Sequence, residues 1–311
     1  MATQYKSYTG RIADIDLSTG KVSDYELSDR DRELFLGGRF LASRILWDEL
    51  RPGIDPLSPE NVLVVMTGPL TGSGAPSSSR YDISAKSPLT GGVGHSNSGG
   101  NFGIHLKRAG FDGLVIRGAA EAPVYLSVEN GKVLIKSAKS LWGLDTQAAQ
   151  AAMGEGGKMV IGPAGENLVR FASVVSQERS HGRTGMGAVM GAKKLKGVVA
   201  RGKARATYAD KEGFSAVVKD WTRMLTSHPM TGDRMPKLGT AGFVMDINRN
   251  HALPTRNFAE GSFSDAAAIS GERLASEFLV RNYGCVSCPI RCGRVVRVNG
   301  REVKGPEYEI L

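Results

Sequence analysis

Three cysteines stand within eight residues, Cys285-Val-Ser-Cys-Pro-Ile-Arg-Cys292, and the chain has no others. Clustered thiols are either a structural group or a ligand set, and clustering is the usual mark of ligands. The Cys-x2-Cys-x3-Cys spacing lets Cys285, Cys288 and Cys292 converge on one metal centre. Zinc and iron–sulfur sites normally take a fourth ligand. A zinc knuckle would find it in a nearby His or Cys, and no histidine follows His251. An iron–sulfur cluster with three local cysteines and one remote is the better fit. Radical-SAM enzymes leave one iron open, but their usual spacing is the reverse of this one. The local reading therefore favours a cluster whose fourth cysteine is not in this chain.

Two glycine-rich windows are the other candidates for chemistry. Of 40 glycines, 12 fall between Gly68 and Gly118 and 11 between Gly154 and Gly202. Glycine so concentrated marks backbone that turns sharply or approaches a ligand closely. The first window holds Ser77-Ser-Ser-Arg80 and His95-Ser-Asn97-Ser-Gly99-Gly100. The second holds Glu178-Arg179-Ser180-His181-Gly182-Arg183, just ahead of an expected helix. Small residues let main-chain N–H groups face an anion, arginine offers a fork of donors, and helix starts attract phosphate. His95 and His181 read as hydrogen-bonding or surface groups rather than bases. Met186 and Met190, four apart, face a core. The lysines from Lys193 to Lys196 read as a solvated face.

The elements that must position these residues are partly legible. Ala13, Ile15 and Leu17 alternate with polar residues, Ser18-Thr-Gly20 turns, and Val22 to Leu27 returns, which predicts a β-hairpin. Apolar spacing predicts a helix over 40–50, and Val62 to Met66 reads as a strand buried on both faces. Short strands recur at 114–116, 159–161 and 198–200. Val124–Val128 and Lys132–Lys136 form a hairpin through Asn130-Gly131, the favoured type I′ pair. After about Arg205 the texture turns helical, with Phe214, Trp221 and Leu225 at helical spacing and Glu272 to Val280 reading as helix. The fold class is α+β. A cofactor-binding domain is expected over 1–208, and the beginning of a mostly helical domain with the three cysteines over 209–311.

Composition narrows the function classes. The chain is 41% hydrophobic and 23% charged, with a mean hydropathy of -0.19. Its longest strictly apolar run, Val62 to Met66, is far too short for a membrane span, and the first residues carry no apolar signal region. The expected location is cytoplasmic, without membrane insertion. The net charge of +9 admits nucleic acid, but no nucleic-acid motif accompanies it, and internal phosphate groups account for it better.

Taken together, the fragments TGPLTGSGAP, SRYDISAKSPLTGG, SNSGGNFGIHLKRAGFDGLVIRG, IGPAGENLVRFASVV, GRTGMGAVMGAKKLKGVVARG, CVSCPIRCGR and KGPEYEIL resemble the tungsten-dependent aldehyde:ferredoxin oxidoreductase family, in order, from about Gly10 onward. The resemblance implies a first domain of two β-sheets that supports a bis-pterin cofactor carrying tungsten or molybdenum. It also implies a [4Fe–4S] cluster and a Mg2+ ion bridging the pterin phosphates. On that likeness Arg80 sits between cluster and pterin, and Asn97 and Ser180 offer main-chain carbonyls to the magnesium. Gly99, Gly100, Arg179, Gly182 and Arg183 line the phosphates. Ser180 departs from the alanine common there, an exchange a main-chain contact tolerates. Cys285, Cys288 and Cys292 match three cluster ligands, with the fourth in a later domain, and Glu309 matches a glutamate near the metal that handles a proton.

The activity so implied is oxidation of an aldehyde to a carboxylate, with electrons leaving through the cluster to ferredoxin or another carrier. This chain alone, about half the family's length, is expected to be inactive. The alternatives are a non-catalytic half of a split enzyme completed by a C-terminal partner chain, and a related subunit that reduces an activated aromatic acid. A homo-oligomer is compatible with either.

Overall fold

The computed structural model describes residues 4–307, and the chain divides after Lys211 into two compact units. The first is built on two six-stranded sheets. One contains β1 (Ile12–Asp16), β2 (Val22–Asp24), β3 (Leu63–Thr67), β4 (Tyr81–Lys86), β5 (Val93–Ser98) and β6 (Gly113–Arg117), in the order β2-β1-β6-β3-β4-β5. The other contains β7 (Val124–Glu129), β8 (Lys132–Ser137), β9 (Gly157–Val160), β10 (Val174–Ser176), β11 (Arg179–His181) and β12 (Leu195–Arg201), in the order β11-β10-β9-β12-β7-β8. Each sheet is antiparallel except at one pair, β1 with β6 and β7 with β12. This is the α+β architecture with two sheets that the sequence led us to expect.

Burial explains the layering. Every residue of β3 is buried. Leu63 and Val65 face a core shared with Leu126, Val128 and Val198 of the second sheet. Val64 and Met66 face outward, onto Leu41, Ala42, Ile45 and Leu46 of a helix. Two helices cover that outer face: α1 (Asp29–Phe35), capped by the Ser28 hydroxyl accepting from Asp31 N, and α2 (Gly38–Glu49). α3 (Phe102–Arg108) lies in the inter-sheet core with Phe102 and Leu106. α4 (Thr146–Ala152) and α5 (Pro163–Glu166) follow, and α6 (Met186–Ala192) returns to that core with Met186 and Met190, as expected. Asn130 and Gly131 take φ of 47° and 76°, the left-handed pair that a type I′ hairpin needs between β7 and β8.

The basic run after α6 departs from expectation. Lys193 and Lys196 are buried, and only Lys194 of the lysines is exposed. Lys196 Nζ ion-pairs with Glu166 and donates to Leu144 O at 2.8 Å. Lys193 Nζ donates to Gly118 O at 2.8 Å. Leu195 opens a central strand here, so the neighbouring lysines run along its faces and bring their charges to distant partners rather than to water.

The second unit begins with α7 (Lys211–Ser227) and continues through short helical turns around Val244, Leu253 and Ala266. Helix runs only to Phe278. Leu279 and Val280, expected to be helical, instead open β13 (Leu279–Tyr283), which pairs with β14 (Gly293–Val298) and through it with β15 (Arg301–Lys304). Asn299 and Gly300, at φ of 49° and 75°, close the β14–β15 hairpin.

Candidate cofactor and metal site

Arg80 directly precedes β4, and Asn97 sits on the edge strand β5 beside it. Arg80 Nε donates to Asn97 Oδ1, and its Nη2 donates to Asn97 O at 3.2 Å. Asn97 Nδ2 in turn donates to Tyr81 O at 3.1 Å. The amide therefore clamps the guanidinium across the end of the hairpin, and both side chains stay at the surface.

The second glycine window arrives at the same edge. β10 and β11 form a tight hairpin at the rim of their sheet, with Gln177 at φ of 56°. His181 Nδ1 meets Ser96 O at 2.7 Å, and Arg183 N donates to Ser96 Oγ at 3.3 Å. A carbonyl only accepts, so Nδ1 carries the hydrogen. Burial pushes the His181 ring down to about 4, which keeps it neutral at pH 7. Asn97 and Ser180 each neighbour one end of this bond. Gly100, at φ of 92°, closes the join: a Cβ there would stand 3.2 Å from Gln177 Oε1.

The structure thus gathers Arg80, Asn97, Gly99, Gly100, Arg179, Ser180, Gly182 and Arg183 along one seam between two sheet edges. Asn97, Ser180, Gly182 and Arg183 are exposed, Arg179 is half-buried, and the glycines at 99 and 100 are buried. Three guanidinium groups, main-chain donors and no carboxylate make up this set. That chemistry fits an anionic, phosphate-bearing cofactor.

Sequence reasoning missed the polar network behind Asn97. His95 Nδ1 lies 2.8 Å from Ser84 Oγ, which donates to the buried Asp82 Oδ1 at 2.5 Å. His95 Nε2 lies 3.2 Å from Ser43 Oγ on α2, whose hydroxyl donates to Arg39 O at 2.9 Å. Both ring nitrogens face hydroxyl oxygens whose hydrogens point elsewhere. Residues 82, 84 and 95 share one sheet face through the β4–β5 register, in which Ser84 opposes His95. The alternation of Asp82 and Ser84 in a buried strand was the available signal.

In the second unit all three cysteines lie on the loop between β13 and β14, and all are half-buried. Cys288 N donates to Cys285 O at 3.1 Å. Ser287 and Arg291 take φ of 59° and 51°, and Arg291 Nη2 donates to Asn282 O at 3.1 Å. The loop folds back so tightly that a Cβ on Gly284 would stand 3.2 Å from Cys288 O. Cys285 and Cys288 border an open cavity of about 510 Å³ together with Arg281, Tyr283 and Arg291. Among the described residues no group of three or more His, Cys, Asp or Glu side chains is placed to hold a metal ion. The donor chemistry, three soft thiols on one short loop, is that of an iron or zinc ligand set. Glu309 lies outside the described residues.

Residues 12–202 match the aldehyde ferredoxin oxidoreductase N-terminal domain, and residues 216–311 match domains 2 and 3 of the same family. The chain belongs to the aldehyde ferredoxin oxidoreductase family. Over 97% of its length it is 44% identical to the tungsten-containing aldehyde ferredoxin oxidoreductase of Thermococcus kodakarensis, of which it covers 51%. It is 33% identical, over 98% of its length, to the WOR-like subunit of an aliphatic sulfonate oxidoreductase from Pyrococcus furiosus, covering 52% of that protein. Among solved structures, the active-site complex BamBC of benzoyl coenzyme A reductase, in complex with 1,5-dienoyl-CoA, superposes with a TM-score of 0.82 at 30% identity, over 96% of this chain and 49% of the other. The chain spans about half the length of the curated relatives it matches. Its family is one of oxidoreductases, as the ordered fragments implied, and no helix among the described residues is long and apolar enough to cross a membrane.

Proposed function

We propose that this chain is the cofactor-seating portion of a cytoplasmic tungstopterin oxidoreductase that oxidises aldehydes to carboxylates and passes electrons to ferredoxin. The observation that carries the reading is the seam at Ser96 and His181, where two loops more than eighty residues apart present Arg80, Asn97, Ser180 and Arg183 together. Arg80, Arg179 and Arg183 would neutralise the pterin phosphates, and Gly99, Gly100 and Gly182 would let main chain approach them. The carbonyls of Asn97 and Ser180 would help hold Mg2+. The Asn97 carbonyl already accepts from Arg80, and its second lone pair is the one left for the ion. Cys285, Cys288 and Cys292 would supply three ligands to a [4Fe–4S] cluster, and Glu309 would hold or move a proton. When bound, the metal and its two pterins supply the two-electron chemistry and the cluster exports electrons singly.

Metal analysis tests both halves of the assignment. In the protein assembled with whatever completes it, Cys288→Ala should lose most of the iron and the cluster's visible absorption while tungsten or molybdenum stays bound. Arg80→Ala should do the reverse, lowering tungsten or molybdenum with iron largely retained. Unchanged metal content in both variants would reject the assignment. The fold shared with the benzoyl coenzyme A reductase complex favours one second reading, reduction of an activated aromatic acid. The higher identity to the aldehyde enzymes ranks it behind.

A further inference from the structure

Between the two sheets of the first unit lies a set of buried polar side chains for which the proposed cofactor has no use. Tyr81 on β4, Ser98 on β5, Ser176 on β10 and His181 on β11 are each at most 2% exposed. Tyr81 and Ser98 are direct cross-strand partners. The Tyr81 ring meets the His181 ring edge-on, with centroids 4.5 Å apart, and its hydroxyl faces Ser176. A Cβ on Gly100 would stand 3.8 Å from Ser176 Oγ, which brings the β5 loop to the same place.

The Tyr81 hydroxyl and Ser176 Oγ are near neighbours whose contact falls short of a well-formed hydrogen bond, and Ser98 Oγ and His181 Nε2 likewise make none to a described protein group. The bond from His181 Nδ1 to Ser96 O fixes the tautomer, so the neutral ring presents Nε2 as a bare acceptor. Burial raises the Tyr81 phenol above its ordinary range, so it stays a hydroxyl donor. Three hydroxyls and one ring acceptor are therefore buried on neighbouring strands of the two sheets. Left without partners they would cost a large share of a domain's stability. Native interiors satisfy such sets with ordered water bound by two to four polar groups.

We propose that this junction is a water-binding site, in which ordered water bridges the Tyr81 hydroxyl, Ser98 Oγ, Ser176 Oγ and His181 Nε2. Water held there ties the edge of one sheet to the edge of the other. Ser98 leads into Gly99 and Gly100, while Ser176 and His181 flank the Arg179–Ser180 segment, so the same water sets the spacing of both candidate cofactor loops. The inference concerns the polypeptide alone and stands whether or not a pterin binds at the seam.

Nuclear magnetic resonance on the whole chain, with labelled histidine, provides the test. Cross-relaxation between water and the His181 ring protons should carry the sign of a long-lived bound water. Tyr81→Phe, which keeps the ring, should lower the folding equilibrium constant about fivefold. It should also speed amide exchange at Gly100 and Ser180 by a similar factor. Two results would overturn the proposal. One is a Tyr81→Phe variant as stable as wild type with no water signal at His181. The other is Ser176→Ala matching Tyr81→Phe with no water at the ring, which would mean a direct Tyr81–Ser176 bond.

Discussion

Lys193 is 1% exposed, and its Nζ donates to Gly118 O at 2.8 Å and reaches Pro59 O at 3.5 Å. Carbonyl dipoles offset only part of the cost of desolvating an ammonium, and burial pulls this lysine down to about 8 from its ordinary 10.5. In the unfolded chain the group binds its proton up to the higher value. Between the two, the unfolded state therefore holds more protons, and stability rises with pH. Below pH 8 the burial cost is present in full, and it is relieved as pH climbs towards 10.5. Comparing wild type with Lys193→Met isolates that contribution. Denaturant titrations should show wild type gaining about 3 kcal/mol relative to the variant between pH 8 and pH 10.5. A constant gap would mean that the ammonium keeps water at its side. His181 acts in the same sense at lower pH: its ring is depressed to about 4, so stability is lost as pH falls from 6.5 towards 4.

At the scale of elements, the seam depends on where chain direction changes. Gly185 enters α6 at φ of 74°, and a Cβ there would stand 1.9 Å from Arg170 O. Gly185→Ala meets both backbone strain and a main-chain clash, and should cost about 2–4 kcal/mol in a thermal or denaturant melt. Gly182→Ala, three residues earlier, meets nothing closer than the Ser180 hydroxyl at 3.6 Å and should change stability by less than about 0.5 kcal/mol. Equal losses in the two would contradict this account of α6. Local rules made some of these elements readable in the sequence. Asn130-Gly131 announced its hairpin because a type I′ turn is decided by the two residues that form it. Asn299-Gly300 carries the same signal, but strands built on Arg281, Asn282, Arg294 and Arg297 lack the apolar alternation that would frame it. The helix read over Glu272 to Val280 therefore ran on into what is β13. The burial of Lys193 and Lys196 was illegible for another reason. Gly118, Leu144 and Glu166, their partners, are distant in sequence, and only tertiary packing brings them near. The Ser96–His181 join is likewise non-local. The residue types at the seam could be picked out in advance on the family likeness, whereas the bond that unites them could not.

For the molecule as a whole, charge and length bear on function together. A net charge of +9 suits a polypeptide proposed to seat several phosphates and to attract an acidic electron carrier. Yet the chain covers 51% of its aldehyde-oxidising relatives, and its three cysteines leave a four-thiolate cluster one ligand short. If the remaining ligand and the rest of the substrate pocket are supplied by further polypeptide, these 311 residues alone should reduce a viologen dye with aldehyde at little or no rate. Adding the complementary half of the family's length, in the same chain or as a separate subunit, should restore both turnover and iron. The two measurements separate the possible failures. Iron restored without turnover would support the thiolate assignment and count against the aldehyde reaction, and a benzoyl coenzyme A analogue would then be the substrate to try. Steady aldehyde turnover by the 311 residues unaided would mean that a complete electron path is built from three cysteines, and the division of labour between two halves would have to be abandoned.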